Sequence, residues 1–273
     1  MRAGILLAAV AAILALSGPA GAALRHDASA SSNWAGYAVT GTAFSDVKGT
    51  WVQPAAACTG LQTSAYAAFW VGLGGFSGGS GGLEQTGTES DCRDGQPSYS
   101  AWYELLPDAS VSVPISVSPG DTISAEVSVD GPVVTLTISN LTTGENFTTQ
   151  QSPQLLDTES AEWIAEAPSR CFGSRCFPLA LANFGTVQFS GSSTTANGHV
   201  GTISDASWSA TAIQLGGHAG AAVPASLSPD GSAFAVAFTP AVAPVQVTPP
   251  PVKAQKPKAK PKPKPKKKKK KLL

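Results

Sequence analysis

Positive charge is almost missing from the body of this chain. Residues 23–242 hold Arg25, Lys48, Arg93, Arg170 and Arg175, against eighteen Asp and Glu, a formal charge near −13. The net charge of zero for the whole chain arises only because residues 243–273 carry twelve lysines and no acid. An exported chain, as the N-terminal segment described below implies, is a poor partner for nucleic acid. Below about pH 4 the carboxylates of the body protonate and few cations remain there to repel one another. The pattern suits work in acid.

Histidine is also scarce: His26, His199 and His218, the last two in Gly-rich turns, "ANGHVG" and "GGHAGA". Chemistry built on an imidazole base has little to draw on. The four cysteines show no CxxC spacing and no histidine stands near them. No metal site and no cofactor are expected. The glycine run "GLGGFSGGSGG" lacks the lysine and hydroxyl of a phosphate-binding loop. It contains G-x-S-x-G at Gly75–Gly79, but no helix signal follows Ser77, as a nucleophile elbow requires.

Long apolar runs are confined to the start. Arg2, the run Ile5–Leu16 and the small residues Ala20-Gly21-Ala22 describe a secretory signal peptide over residues 1–22. The mature protein is expected to be secreted and extracellular. At the other end, residues 243–273 are dominated by proline and lysine and are expected to form an extended, disordered tail. An anionic cell-wall polymer or membrane surface is the partner such a tail would suit. Between them, residues 23–242 are long enough for one domain. Four cysteines in an exported chain suggest two disulfides. Cys171 and Cys176 can close a small loop in "CFGSRC", which leaves Cys58 with Cys92.

What the body does have is strand signals. "TISAEVSV" alternates polar and apolar residues, Asp130-Gly131-Pro132 turns the chain, and "VVTLTIS" follows. "TWVQP", "AAFWVGL", "YSAWYELL", "AEWIAEA", "TVQFSG", "ATAIQLG" and "FAVAFTP" read the same way. No stretch of a dozen residues carries a helical period. The expected fold is all-β, a single-domain antiparallel β-sandwich or jelly roll of two curved sheets.

"SAEWIAEAPS" keeps two glutamates in a chain poor in charge. On a strand, Glu162, Ile164 and Glu166 share one face, and at roughly 3.3 Å per residue the two acids are about 13 Å apart. They are too distant to share a proton as paired protease carboxylates do. A catalytic glutamate here needs a partner from elsewhere in the chain.

Several segments together are similar to the glutamic peptidases, the eqolisins of peptidase family G1, in a secreted bacterial form. They are "SSNWAGY", "FWVGL", "LEQTG", "SAWYELLPD", "NLTTG", "AEWIAEAP" and "NFGTVQFSG", in family order across about residues 31–215. The resemblance implies a β-sandwich and a pepstatin-insensitive acid endopeptidase acting on protein or peptide substrates as a monomer. It implies a catalytic glutamine at Gln85 and a catalytic glutamate at Glu166, with Glu162 a supporting acid. It offers Asn33, Trp34, Trp70, Thr86, Trp102, Tyr103 and Glu104 as cleft-lining or hydrogen-bonding partners, while Trp51 and Trp163 read as core. The chemistry is coherent: a carboxylate can accept a proton from water in acid, and an amide donates hydrogen bonds without titrating.

The match departs from the family pattern in three places. Where the family has an acid after "WVG", this chain has Gly74, so one cleft wall is expected to be looser. Too few residues lie between the expected signal cleavage and Ser31 for the family's basic propeptide. The lysine tail is foreign to the pattern. Tryptophans and acids on a sheet also suit a jelly-roll carbohydrate-active enzyme or lectin-like module, provided two carboxyls meet within about 5–10 Å.

Overall fold

The computed structural model describes residues 27–59, 63–76, 81–173, 175–217 and 220–240. The expected signal peptide, the tail, His26, His218 and Ser77 lie outside the described residues. The strands are β1 (Asp27–Ser31), β2 (Trp34–Thr40), β3 (Asp46–Val52), β4 (Ala68–Leu73), β5 (Glu84–Arg93) and β6 (Gln96–Leu105). They continue with β7 (Val111–Val113), β8 (Thr122–Asp130), β9 (Val133–Asn140), β10 (Glu145–Gln151), β11 (Ser160–Glu166) and β12 (Ser169–Phe172). The last six are β13 (Arg175–Pro178), β14 (Thr186–Ala196), β15 (His199–Thr202), β16 (Ser209–Leu215), β17 (Ala221–Pro224) and β18 (Phe234–Thr239). No described residue is helical.

Hydrogen bonds run without a break along the order β10-β9-β8-β3-β14-β18-β17-β16-β2-β11-β4-β5-β6-β7. This path folds over on itself. β3 and β8 lie against β4, β5 lies against β8 and β9, and β11 lies against β3 and β14. The result is the expected sandwich, with its two layers joined through β17 and β18 rather than separate. Pairing is antiparallel throughout the path, and among the described strands β1 alone runs parallel to its neighbour, β16. The hairpin read from "TISAEVSV" and "VVTLTIS" forms as β8 and β9, with Gly131 at φ +58° in its turn.

Alternation decides what each strand offers. In β11, Ala161, Trp163 and Ala165 enter the core between the layers, while Ile164 belongs to a cluster on the opposite face with Ala38, Ala68, Trp70, Leu83, Trp102 and Ile213. Glu162 and Glu166 therefore share the face of Ile164, as the strand reading requires. Trp51 and Trp163 are fully buried in the inter-layer core, where their indole N–H groups donate to Thr88 Oγ1 and the Lys48 carbonyl. Each side chain of that size stabilises the fold by about 1.5–3 kcal/mol through burial. Cys58 pairs with Cys92 and Cys171 with Cys176.

Candidate active site

The outward face of β11, β4, β5 and β6 carries the site. Glu166 ends β11, opposite Trp34 on one side and Ala68 on the other. Its Oε1 accepts from Asn33 Nδ2 at 2.9 Å and its Oε2 from Trp70 Nε1 at 2.8 Å. Burial raises its pKa to about 7, while the N–H groups of Trp70 and Asn33 pull it down and the negative charge of Glu104 raises it further. The side chain keeps an open edge on the pocket, where solvent opposes part of that rise. An ordinary carboxyl near pKa 4 is thus not what the fold provides.

Asn33 is itself held. Ser31 Oγ donates to Asn33 Oδ1 at 3.2 Å and accepts from the backbone N–H of Trp34 at 3.0 Å. The Asn33 carbonyl accepts from Ala167 N–H at 2.8 Å, tying this turn to the strand end that bears Glu166. With its oxygen engaged by Ser31, the amide presents its NH₂ to the carboxylate.

Gln85 stands on β5, almost fully buried. Its Nε2 donates to Glu104 Oε2 on β6 at 2.6 Å. Glu104 has a raised pKa, chiefly from burial, with the Gln85 bond acting in the opposite sense. Gln85 Oε1 and Trp102 Nε1 are buried and meet no protein partner among the described residues. Gln85, Trp102, Glu104 and Glu166 line one pocket of roughly 140 Å³ with Ala68, Glu89, Ser110, Pro168 and Ser169. Ser100 donates to Glu89 Oε2 at its edge, at 2.8 Å.

Gly87, two residues past Gln85, is a requirement of this geometry. A Cβ there would lie 2.2 Å from the Phe69 carbonyl and 2.6 Å from Trp70 Cβ. Only glycine lets β4 approach β5 closely enough to carry Trp70 on this face.

The other expected residues divide between contacts to Glu166 and positions away from the pocket. Trp70 is buried and reaches Glu166 as a hydrogen-bond donor rather than as cleft lining. Trp34 packs edge-on against Trp70 with ring centroids 5.0 Å apart, and lines a neighbouring pocket of about 330 Å³ with Phe76, Ile213 and Asn33. Thr86 faces the inter-layer side and donates to the Trp102 carbonyl. Tyr103 packs against that core and stacks on Phe147. Strand alternation explains both, since each neighbours a residue that faces the pocket.

Glu162 shares the face of Glu166 but is fully buried, and among the described residues neither of its oxygens has a partner at hydrogen-bonding geometry, although the Ser160 hydroxyl lies close enough to oppose part of its pKa rise. Burial raises its pKa well above the ordinary value, and the charges of Asp157 and Glu84 add to the rise. Glu84, also buried, is raised to about 8 by burial first; the backbone N–H of Asp157 opposes the rise while the charge of Asp157 adds to it. Gly74 does not loosen this wall. A Cβ on it would lie 2.5 Å from Asp157 Cβ and 3.0 Å from Asp157 Cγ, so the space beside Gly74 is filled by Asp157 from the loop before β11.

Sequence reasoning missed Ser31, Glu89, Ser110, Pro168 and Ser169. Ser31 lay inside the "SSNWAGY" motif, but a serine beside an asparagine carries no signal of its own.

Comparison with known proteins gives the family. The peptidase A4 family model matches residues 32–237. The chain is 33% identical over 198 residues to aspergillopepsin-2 of Aspergillus niger, covering 64% of this chain and 68% of that protein. It is 33% identical over 189 residues to scytalidopepsin B of Scytalidium lignicola, covering 66% and 70%. Among solved structures, scytalido-glutamic peptidase with a transition-state analogue inhibitor superposes with a TM-score of 0.65 at 29% identity, covering 76% of this chain and 98% of that one. Aspergilloglutamic peptidase from Aspergillus niger gives a TM-score of 0.55 at 30% identity, covering 64% and 99%. With sequence and fold in agreement, this chain belongs to the peptidase A4 family, and with it to the glutamic endopeptidases.

Proposed function

We propose that Gln85 and Glu166 act on one water molecule to hydrolyse peptide bonds of protein substrates. The observation that carries this reading is that the two side chains line a single pocket and that each is oriented by its own hydrogen bonds. In its ionised form Glu166 takes a proton from water as the oxygen attacks the carbonyl carbon. The N–H of Gln85 not given to Glu104, with Trp102 Nε1, is the donor set assigned to the oxyanion that develops; Trp102 Nε1 has no hydrogen-bond partner among the described residues. When the C–N bond breaks, Glu166 returns the proton to the leaving amine, and acid and amine products depart.

A base with pKa near 7 is largely protonated in strong acid. Its ionised fraction grows as pH rises, so chemistry alone favours weakly acidic conditions over strongly acidic ones. No paired aspartates are used, and pepstatin should leave the activity intact. The disulfides and the A. niger and S. lignicola relatives support export from the cell. Fractionating a culture of the natural host would locate the protein.

The test is a digest of denatured casein at pH 4–6 with pepstatin present, read by mass spectrometry beside a parallel polysaccharide digest. New peptides in the first and no products in the second support the reading. Sugar release without peptides would replace it with a carbohydrate-active enzyme.

A further inference from the structure

We propose that the β12–β13 hairpin is a selectivity arm that binds acidic side chains of the substrate polypeptide near the scissile bond. This rests on the peptidase reading above and names a substrate feature of the same site.

The hairpin starts one residue past Pro168 and three past Glu166, and its first residue, Ser169, lines the pocket with both. It is a separate two-stranded sheet, pinned by Cys171–Cys176 directly across the pair. Its register places Arg170 opposite Phe177 and Phe172 opposite Arg175. Alternation therefore gathers these four side chains on one face and leaves the disulfide on the other. All four are exposed, Phe172 at 68% and Phe177 at 55%. Neither guanidinium makes an ion pair among the described residues.

Such a face costs the free protein something, since two phenyl rings stay in water while the rest of the large apolar side chains are mostly buried. Charge sharpens the point. Five basic residues serve the whole body, and two of them stand here, beside a pocket walled by Glu89, Glu104 and Glu166. A cationic patch at the mouth of an anionic cleft meets a ligand that carries a carboxylate outside the reacting bond. Arginine forks match carboxylates bidentately, and the rings between them take the apolar part of the same chain. From Ser169 to Phe172 the arm extends about 10 Å, the span of about three residues of an extended peptide.

The experiment uses the full chain and a set of otherwise neutral peptides with one aspartate placed one to four residues from the cleaved bond, on either side. It compares the wild type with Arg170→Gln/Arg175→Gln, which keeps the disulfide and both phenylalanines. At pH 5 and low salt, the wild type should cleave one or two aspartate positions about three- to ten-fold better than the neutral peptide, by kcat/KM. The double variant should lose that preference and keep its rate on the neutral peptide. Equal preference in both enzymes overturns the proposal. Fluorescence anisotropy of a labelled acidic peptide measures the same contact without turnover. Binding weakened three- to ten-fold by the double variant supports the arm even if the cleaved substrate is not a protein, and unchanged binding overturns it. Anionic vesicles are the third arm: vesicle binding lost in the variant, with peptide selectivity unchanged, assigns the face to a surface and rejects the proposal.

Discussion

The Gln85 carboxamide donates to Oε2 of Glu104 at 2.6 Å, and its other end, Oε1, is buried with no hydrogen-bond partner among the described residues. Glu104 thereby decides which end of the amide faces which way. Removing it frees the amide to flip. Glu104→Ala should lower kcat about ten- to a hundred-fold with a smaller change in KM, because the interaction serves the reacting geometry. Steady-state kinetics on one fluorogenic peptide checks this, and Glu104→Gln, which can still offer an oxygen to Nε2, should recover part of the loss.

Asn33 and Trp70 each donate to Glu166, and both bonds favour the carboxylate. Asn33→Ala removes one of them. Burial then raises the Glu166 pKa further from its value near 7, so the rising limb of kcat/KM against pH should move to higher pH. A limb unchanged in position would mean that another group sets it.

Stability should have the opposite pH dependence. Glu84 and Glu162 are buried acids whose folded-state pKa values are raised, Glu84 to about 8. The folded state holds protons that the unfolded chain releases near pH 4.5. Their contribution is fully present below that pH and is lost as pH rises through about 8. For Glu84 alone the loss is at most about 5 kcal/mol. Urea unfolding at pH 4 and pH 7.5 should show a clear drop for the wild type, and Glu84→Gln/Glu162→Gln should flatten it.

Gly87→Ala drives a methyl group into the Phe69 carbonyl and Trp70. Destabilisation of about 1–3 kcal/mol is expected, read as a lowered Tm at acid pH. Activity should fall as well, since Trp70 carries one of the two bonds to Glu166.

The all-β fold was legible because most strands bury an apolar face. β5 is the instructive exception. Its sequence, "EQTGTESDCR", has no apolar alternation, yet the strand is central and carries Gln85. Its inner face is polar and satisfied by side chains: Thr88 Oγ1 donates to Gln53 Oε1 at 2.6 Å, Gln53 Nε2 to Ser90 Oγ at 2.8 Å, and Ser90 Oγ to the Pro54 carbonyl at 2.8 Å. Partners from a different strand cannot be seen in a local pattern. Periodicity put Glu162 and Glu166 on one face, but it could not tell which keeps an open edge. That depends on where the neighbouring strands end. The same holds for Gly74, whose free space is filled by Asp157, more than eighty residues away in sequence. The β12–β13 hairpin, exposed on almost every residue, gave no strand signal at all.

The most direct measurement is the acid-pH cleavage of denatured protein by purified Glu166→Gln, with folding monitored alongside. The replacement keeps the size of the side chain and removes its ability to hold a proton in transit. A loss of about a thousand-fold or more in kcat/KM, with an unfolding curve still cooperative, is the predicted result. A folded variant retaining more than about a tenth of wild-type turnover would contradict the account.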